Sequence, residues 1–182
     1  MAPQRNAMQQ MSMLYGTYMG IFWIAKFVLF PMALVAPLCG FLFMVFTCAV
    51  PVIAYFMTRH FRDRYCAGEL SFFSGLVFCF QIFLYASVLT AMAHFIYFKF
   101  IDHHFIYDNM TALIDVYKNE AALKSQVENI KHALNVFNAL SPIELAMQLL
   151  SQNVFYGIIL SMPIALLTMR RPAPTLRNKP KQ

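Results

Sequence analysis

The stretch SFFSGLVFCFQIFLYASVLTAMAHFIYFKF, from Ser71 to Phe100, carries a single charge, Lys99, next to its end. An apolar run of this length exceeds the ~20 residues needed to cross the roughly 30 Å hydrocarbon core of a bilayer, so it reads as a transmembrane helix that tilts or projects beyond the membrane. Further apolar runs lie at about residues 13–34, 38–57 and 142–169. The first two are separated by a short connection bracketed by Pro31 and Pro37 and read as a helical hairpin. The last opens on Ser141, Pro142 and Glu144, which supply an N-cap, a proline at the first helical position and the acidic partner of a capping box. Of the 182 residues, 60% are hydrophobic and 12% charged, against roughly 45–50% and 25% in soluble domains, which excludes a water-soluble globule. The expected fold is all-α, a polytopic membrane protein whose single membrane domain occupies residues 1–182 and has four transmembrane helices.

The net charge of +6 could point to nucleic acid, but its placement gives another explanation. Arg5 precedes the first span; Arg59, Arg62 and Arg64 fill the connection between the second and third; Arg170, Arg171, Arg177, Lys179 and Lys181 follow the fourth in a basic tail, residues 170–182. Lys and Arg are retained preferentially on the cytoplasmic side, so both termini are expected to be cytoplasmic and no nucleic-acid partner is needed. The opposite side carries Lys99, Lys118, Lys124 and Lys131. Pro37 directly after Ala33-Leu-Val-Ala36 is a poor cleavage context, so the first helix is expected to stay attached. Cys48 and Cys79 lie inside spans, Cys66 on the cytoplasmic side and Cys39 at the outer end of the second helix; neither a disulfide framework nor zinc spacing is present.

Residues 102–140 look soluble and contain Asp102, Asp108, Asp115, Glu120 and Glu128, with no glycine to make a flexible linker. Leu123, Val127, Ile130, Leu134 and Phe137 recur at four- and three-residue steps, the spacing of one helix face, with Glu120 and Lys124 as a supporting i,i+4 pair. Ile106, Met110, Leu113 and Tyr117 mark a shorter amphipathic helix, with Lys118-Asn119 as the break. An extracytoplasmic amphipathic helical hairpin between the third and fourth spans is therefore expected. Its apolar stripe either packs on the protein's own helix ends or lies at the lipid interface, or else docks another protein.

Lys26 is the one cation within a span, at a cost on the order of 3 kcal/mol at the bilayer centre. It either snorkels toward the outer interface or contacts a lipid phosphate, and with Arg59, Arg62 and Arg64 it forms the set of candidate lipid or anion contacts. Gln81, His94, Gln148, Gln152 and Asn153 are polar groups inside spans, expected to hydrogen-bond within the bundle. Gly16 and Gly20 form a GxxxG, and Gly157, Ser161 and Ala165 a small-residue ladder, candidates for close helix packing within the bundle or against a partner. No Asp or Glu lies well within a span, which argues against a proton-driven antiporter. His103 and His104 follow Asp102, but neighbouring helical positions point about 100° apart and do not converge on a metal. No catalytic, nucleotide-binding or metal motif is present, so neither an enzyme nor a cofactor is expected.

The segment Thr58-RHFRDRYCAGELSF-Phe73, the end of the third span Tyr97-FKFIDHH-Phe105 and the Ser141-Pro142 helix start together resemble the domain of unknown function 4199 family, four-helix bacterial membrane proteins. Its R-x-x-R-D signature followed by glycine is matched by Arg59, Arg62, Asp63 and Gly68; where the family often has Asp-Pro, this chain reads Asp102-His103. The resemblance implies a multi-pass protein of the bacterial inner membrane and, through gene neighbourhood, an accessory subunit beside a polyprenyl-phosphate type glycosyltransferase. The function expected from residues and resemblance together is a non-enzymatic accessory or scaffold subunit that meets membrane lipid and another membrane protein, or self-associates. The alternative is a small carrier or lipid-handling protein with Lys26 as a phosphate contact.

Overall fold

The computed structural model describes residues 2–102, 104–117 and 124–170. The expected break at Lys118-Asn119, His103, Glu120, Leu123 and the basic tail from Arg171 lie outside the described residues, as do the side chains of Arg5, Tyr117 and Lys124. The described residues form six helices, α1 Ala2–Ala33, α2 Pro37–Tyr65, α3 Phe72–Phe100, α4 Phe105–Tyr117, α5 Lys124–Ala139 and α6 Pro142–Thr168. No strand is present among them; the one β-type feature is an antiparallel bridge between Leu70 and Arg170. Four helices are long and apolar enough to cross a membrane, covering Asn6–Ala33, Pro37–Tyr65, Phe72–Phe100 and Pro142–Thr168. In these segments the helix satisfies its own backbone donors and acceptors, which an apolar surrounding requires.

Helix limits depart from the apolar runs where polar residues are themselves good helix formers. Helix α1 starts well before Met13 because Gln9 and Gln10 continue it, and it passes through Pro31 to end at Ala33. Pro37 then opens α2 at the first helical position, where a missing N–H costs nothing. Helix α2 runs past Met57 to Tyr65, so Arg59, Arg62 and Arg64 sit on its last turns and not in a loop. Cations there complement the carbonyl end of the helix. The true connection is residues 66–71, where Ala67 and Gly68 adopt positive φ of 51° and 80°.

The chain packs as two units, one built from Met1–Gly20, Cys48–Ser87 and Asn153–Gln182, the other from Ile21–Thr47 and Val88–Gln152. In the first, α3 lies against the other three long helices. Phe78 stacks on Phe61 of α2 with ring centroids 3.9 Å apart and meets Tyr15 of α1 edge-on at 6.1 Å. Phe78, Cys79, Ile82 and Phe83 are fully buried. In the second unit, Phe27 of α1 packs edge-on against His94 and Tyr97 of α3, and Phe22 and Phe30 meet Phe46 and Phe43 of α2.

The second unit also holds the amphipathic hairpin. Ile114 of α4 closes on Val127 and Leu134 of α5, with Tyr107 and Met110 packed at the edge. The buried positions of α4 are Ile106 and Ile114, and Leu113 is exposed, so the inward stripe steps by four residues throughout and not by four and then three. Ile130 is likewise exposed and Phe137 meets Phe98 of α3 at 5.8 Å. The capping box of α6 forms as expected: the Ser141 N–H and hydroxyl donate to Glu144 Oε2 at 2.7 and 2.6 Å, and Glu144 N–H donates to Ser141 Oγ at 3.4 Å. Leu134→Ala removes the centre of the hairpin's small core and should cost about 2 kcal/mol or more. Amide hydrogen exchange should show faster exchange across α5 while α6 is unaffected.

Candidate functional site

The candidate residues fall into four groups in space. In the first unit, the small residues serve close packing. A Cβ on Gly16 would stand 2.5 Å from Tyr85 Cβ, and one on Gly157 would stand 2.6 Å from Phe83 Cβ. Backbones of α1 and α6 are thus pressed against bulky residues of α3. Gly20 and Ser161 are buried, and the Ser161 hydroxyl donates to Gly157 O at 2.6 Å. Gln81 of α3 accepts from the Ser12 hydroxyl of α1 at 3.0 Å.

Also in the first unit, Arg62 forms a latch. Its Nε donates to Asp63 Oδ1 at 2.8 Å and its Nη1 to Thr168 O, at the last residue of α6, at 3.0 Å. Its backbone carbonyl accepts from the N–H groups of Cys66 and Gly68. Next to it, Leu70 N–H donates to Arg170 O and Arg170 N–H to Leu70 O, at 3.1 and 2.9 Å. Arg62 is therefore occupied internally, with its side chain only 11% exposed. Arg59, paired with Asp63 at 3.7 Å, and Arg64 are exposed. Burial pushes the nearby Cys66 thiol above its ordinary pKa.

In the second unit, Lys26 is half-buried, its Nζ 5.4 Å from the ring centre of Phe43 and 5.9 Å from that of Trp23. Facing ring π-systems offsets part of the cost of holding a cation at this depth. His94 is 4% exposed, packed on Phe27 at 4.2 Å, with its Nδ1 buried and unbonded among the described residues.

The fourth group departs from expectation. Gln148 and Gln152 are exposed on α6 and do not enter the helical interior, and Asn153 is half-buried. The reason is angular: the inward stripe of α6 is filled by Leu145, Ala146, Gly157, Ser161, Ala165 and Thr168, and positions 148 and 152 fall outside it. Ser151, between them, turns its hydroxyl back to Met147 O. The sequence marks Arg170 only as one cation of the basic tail, because its backbone bridge to Leu70 carries no side-chain signal, and it gives no sign of a cleft beside Asp102.

The family model described as "Protein of unknown function (DUF4199)" matches residues 14–170. The chain belongs to the DUF4199 family. No curated protein and no solved structure matches it. The DUF4199 match takes in the residues from Gly16 to Arg170, including the Arg62 latch. Among the described residues of this DUF4199 protein, no group of three His, Cys, Asp or Glu could hold a metal. Gly157→Val should lower stability in detergent by about 1–3 kcal/mol, since backbone and Phe83 cannot both stay in place. Gly40→Ala is the control, because its Cβ would meet Ala33 Cβ at an ordinary 3.6 Å. Thermal unfolding followed by circular dichroism should separate the two.

Proposed function

We propose that this protein is a non-enzymatic, multi-pass subunit of the bacterial inner membrane, with both termini cytoplasmic, that supports a membrane complex as an accessory or scaffold component. The observation that carries this reading is the exposed amide pair on α6. Gln148 and Gln152 lie six and ten residues beyond Pro142, about 9 and 15 Å along the helix axis. In a hydrocarbon core of roughly 30 Å centred on a helix of this length, Gln148 lies about 4 Å and Gln152 about 10 Å from the nearer edge. One turn apart, they share one face of α6. An amide facing lipid tails has no hydrogen-bond partner there, whereas a helix of another membrane protein supplies one and gains association energy. A polyprenyl-phosphate type glycosyltransferase is the partner suggested by the family resemblance, and self-association uses the same self-complementary amides.

A second reading, lipid handling with Lys26 as a phosphate contact, draws on one observation: no carboxylate among the described residues pairs with this half-buried ammonium. A single experiment separates the two. A photo-cross-linker placed at position 148 should give a protein adduct of discrete mass in native membranes, and at Met92, exposed on α3, only lipid. The double substitution Gln148→Leu, Gln152→Leu should lower partner recovery about tenfold. Lipid adducts alone at position 148, together with loss of lipid binding in folded Lys26→Ala, would decide for the second reading. Orientation is tested at Cys66: a membrane-impermeant maleimide should leave it unmodified in intact cells and label it in inverted vesicles. Because burial raises its pKa, the thiolate is scarce at neutral pH and labelling should accelerate as pH rises.

A further inference from the structure

A cleft of about 320 Å3 lies within the second unit, where the end of α3, the start of α4, the end of α5 and the start of α6 meet. Its walls include Phe98, Tyr107 and Phe137, with Asp102 among them. Phe98 and Phe137 are edge-to-face, 5.8 Å apart, and both line the cleft. Asp102 is only 8% exposed, and its Oδ1 is held in place by the Ile106 N–H at 3.2 Å and the Tyr97 hydroxyl at 3.3 Å. His104 and Asn138, both exposed, stand at the rim. His104 is brought there by a left-handed backbone conformation, φ 66°.

These groups sort by charge. A buried carboxylate in a cleft lined by aromatic side chains favours an organic ammonium through Coulomb and cation–π attraction, and disfavours an anion. The rim offers donors, an imidazole and an amide, suited to phosphate oxygens. The volume falls at the small end of ligand sites, enough for a headgroup and not for an acyl chain. The cleft also adjoins the ends of two candidate spans, Phe100 and Pro142, the level at which headgroups lie. We infer that this cleft binds the ammonium of an ethanolamine phosphate group, with Asp102 and the rings of Phe98, Tyr107 and Phe137 taking the nitrogen and His104 and Asn138 the phosphate. Binding here does not depend on the docking face of α6.

The test uses the full chain in nanodiscs and counts retained lipids by native mass spectrometry. Wild-type protein should retain phosphatidylethanolamine about tenfold over phosphatidylglycerol. Asp102→Asn keeps an acceptor for Ile106 and Tyr97 but loses the charge, and should bring that ratio close to one with thermal unfolding unchanged. Equal retention of both lipids by wild-type protein, or an undiminished preference in Asp102→Asn, would overturn the inference. Should Asp102→Asn fail to fold, Phe137→Leu is read on the same ratio: a fall supports the site and an unchanged preference refutes it. Displacement of the lipid by soluble phosphoethanolamine would assign the free headgroup compound as ligand, and resistance to it the membrane lipid; both outcomes support ammonium recognition.

Discussion

Contact between a glycine hydrogen and the Cβ of an aromatic residue is the constraint on which the helix packing of the first unit depends. At Gly157 against Phe83 and Gly16 against Tyr85, no side chain larger than hydrogen fits. Two helices thereby approach α3 from different sides, and Phe78, Cys79 and Ile82 on the preceding turns of α3 are fully buried. In an apolar surrounding, association gains little from hiding apolar surface, because lipid tails are as apolar as leucine. Close dispersion contact and a few shared hydrogen bonds must supply the preference. The Ser12–Gln81 bond and the Ser161 hydroxyl, turned onto its own helix at Gly157, are consistent with that division. The same consideration makes the exposed amides of Gln148 and Gln152 conspicuous, since polar groups elsewhere on the long helices are mostly turned onto a backbone carbonyl or a neighbour.

The architecture was readable from hydropathy because length and apolar content are enough to identify a spanning helix, and Ser141-Pro142-x-Glu144 marks its helix start chemically. Family membership was readable from the Arg59 to Gly68 segment. Helix ends were less so. Arginine and glutamine are compatible with both loop and helix, and only the structure shows α2 carrying its arginines to Tyr65. Choosing between Leu113 and Ile114 as the inward residue of α4 depends on where α5 lies, which adjacent apolar residues do not encode.

The site residues divide in the same way. Gly16 and Gly157 lie in tight contact with α3 and Gln81 bonds Ser12, and a small residue or an amide inside a helix has few other uses. Arg62 was grouped with surface cations, yet its partner, the Thr168 carbonyl, lies more than a hundred positions away in sequence. Gln148 and Gln152 were expected to face inward because they are polar, but which way a helix faces is set by its smallest residues, here Gly157, Ser161 and Ala165. Asp102 has no periodic or motif signal of its own; its importance comes from the rings that α3, α4 and α5 bring around it.

The paired peptide bonds between Leu70 and Arg170, with the Arg62 guanidinium on Thr168 O, make a mechanical fastening at the end of α6. Tension applied to the chain beyond Arg170 would load these three bonds before it could unwind α6, and would be passed directly to the connection between α2 and α3. Two parts of the polypeptide far apart in sequence would then yield together under strain, much as a zip is released from its stop.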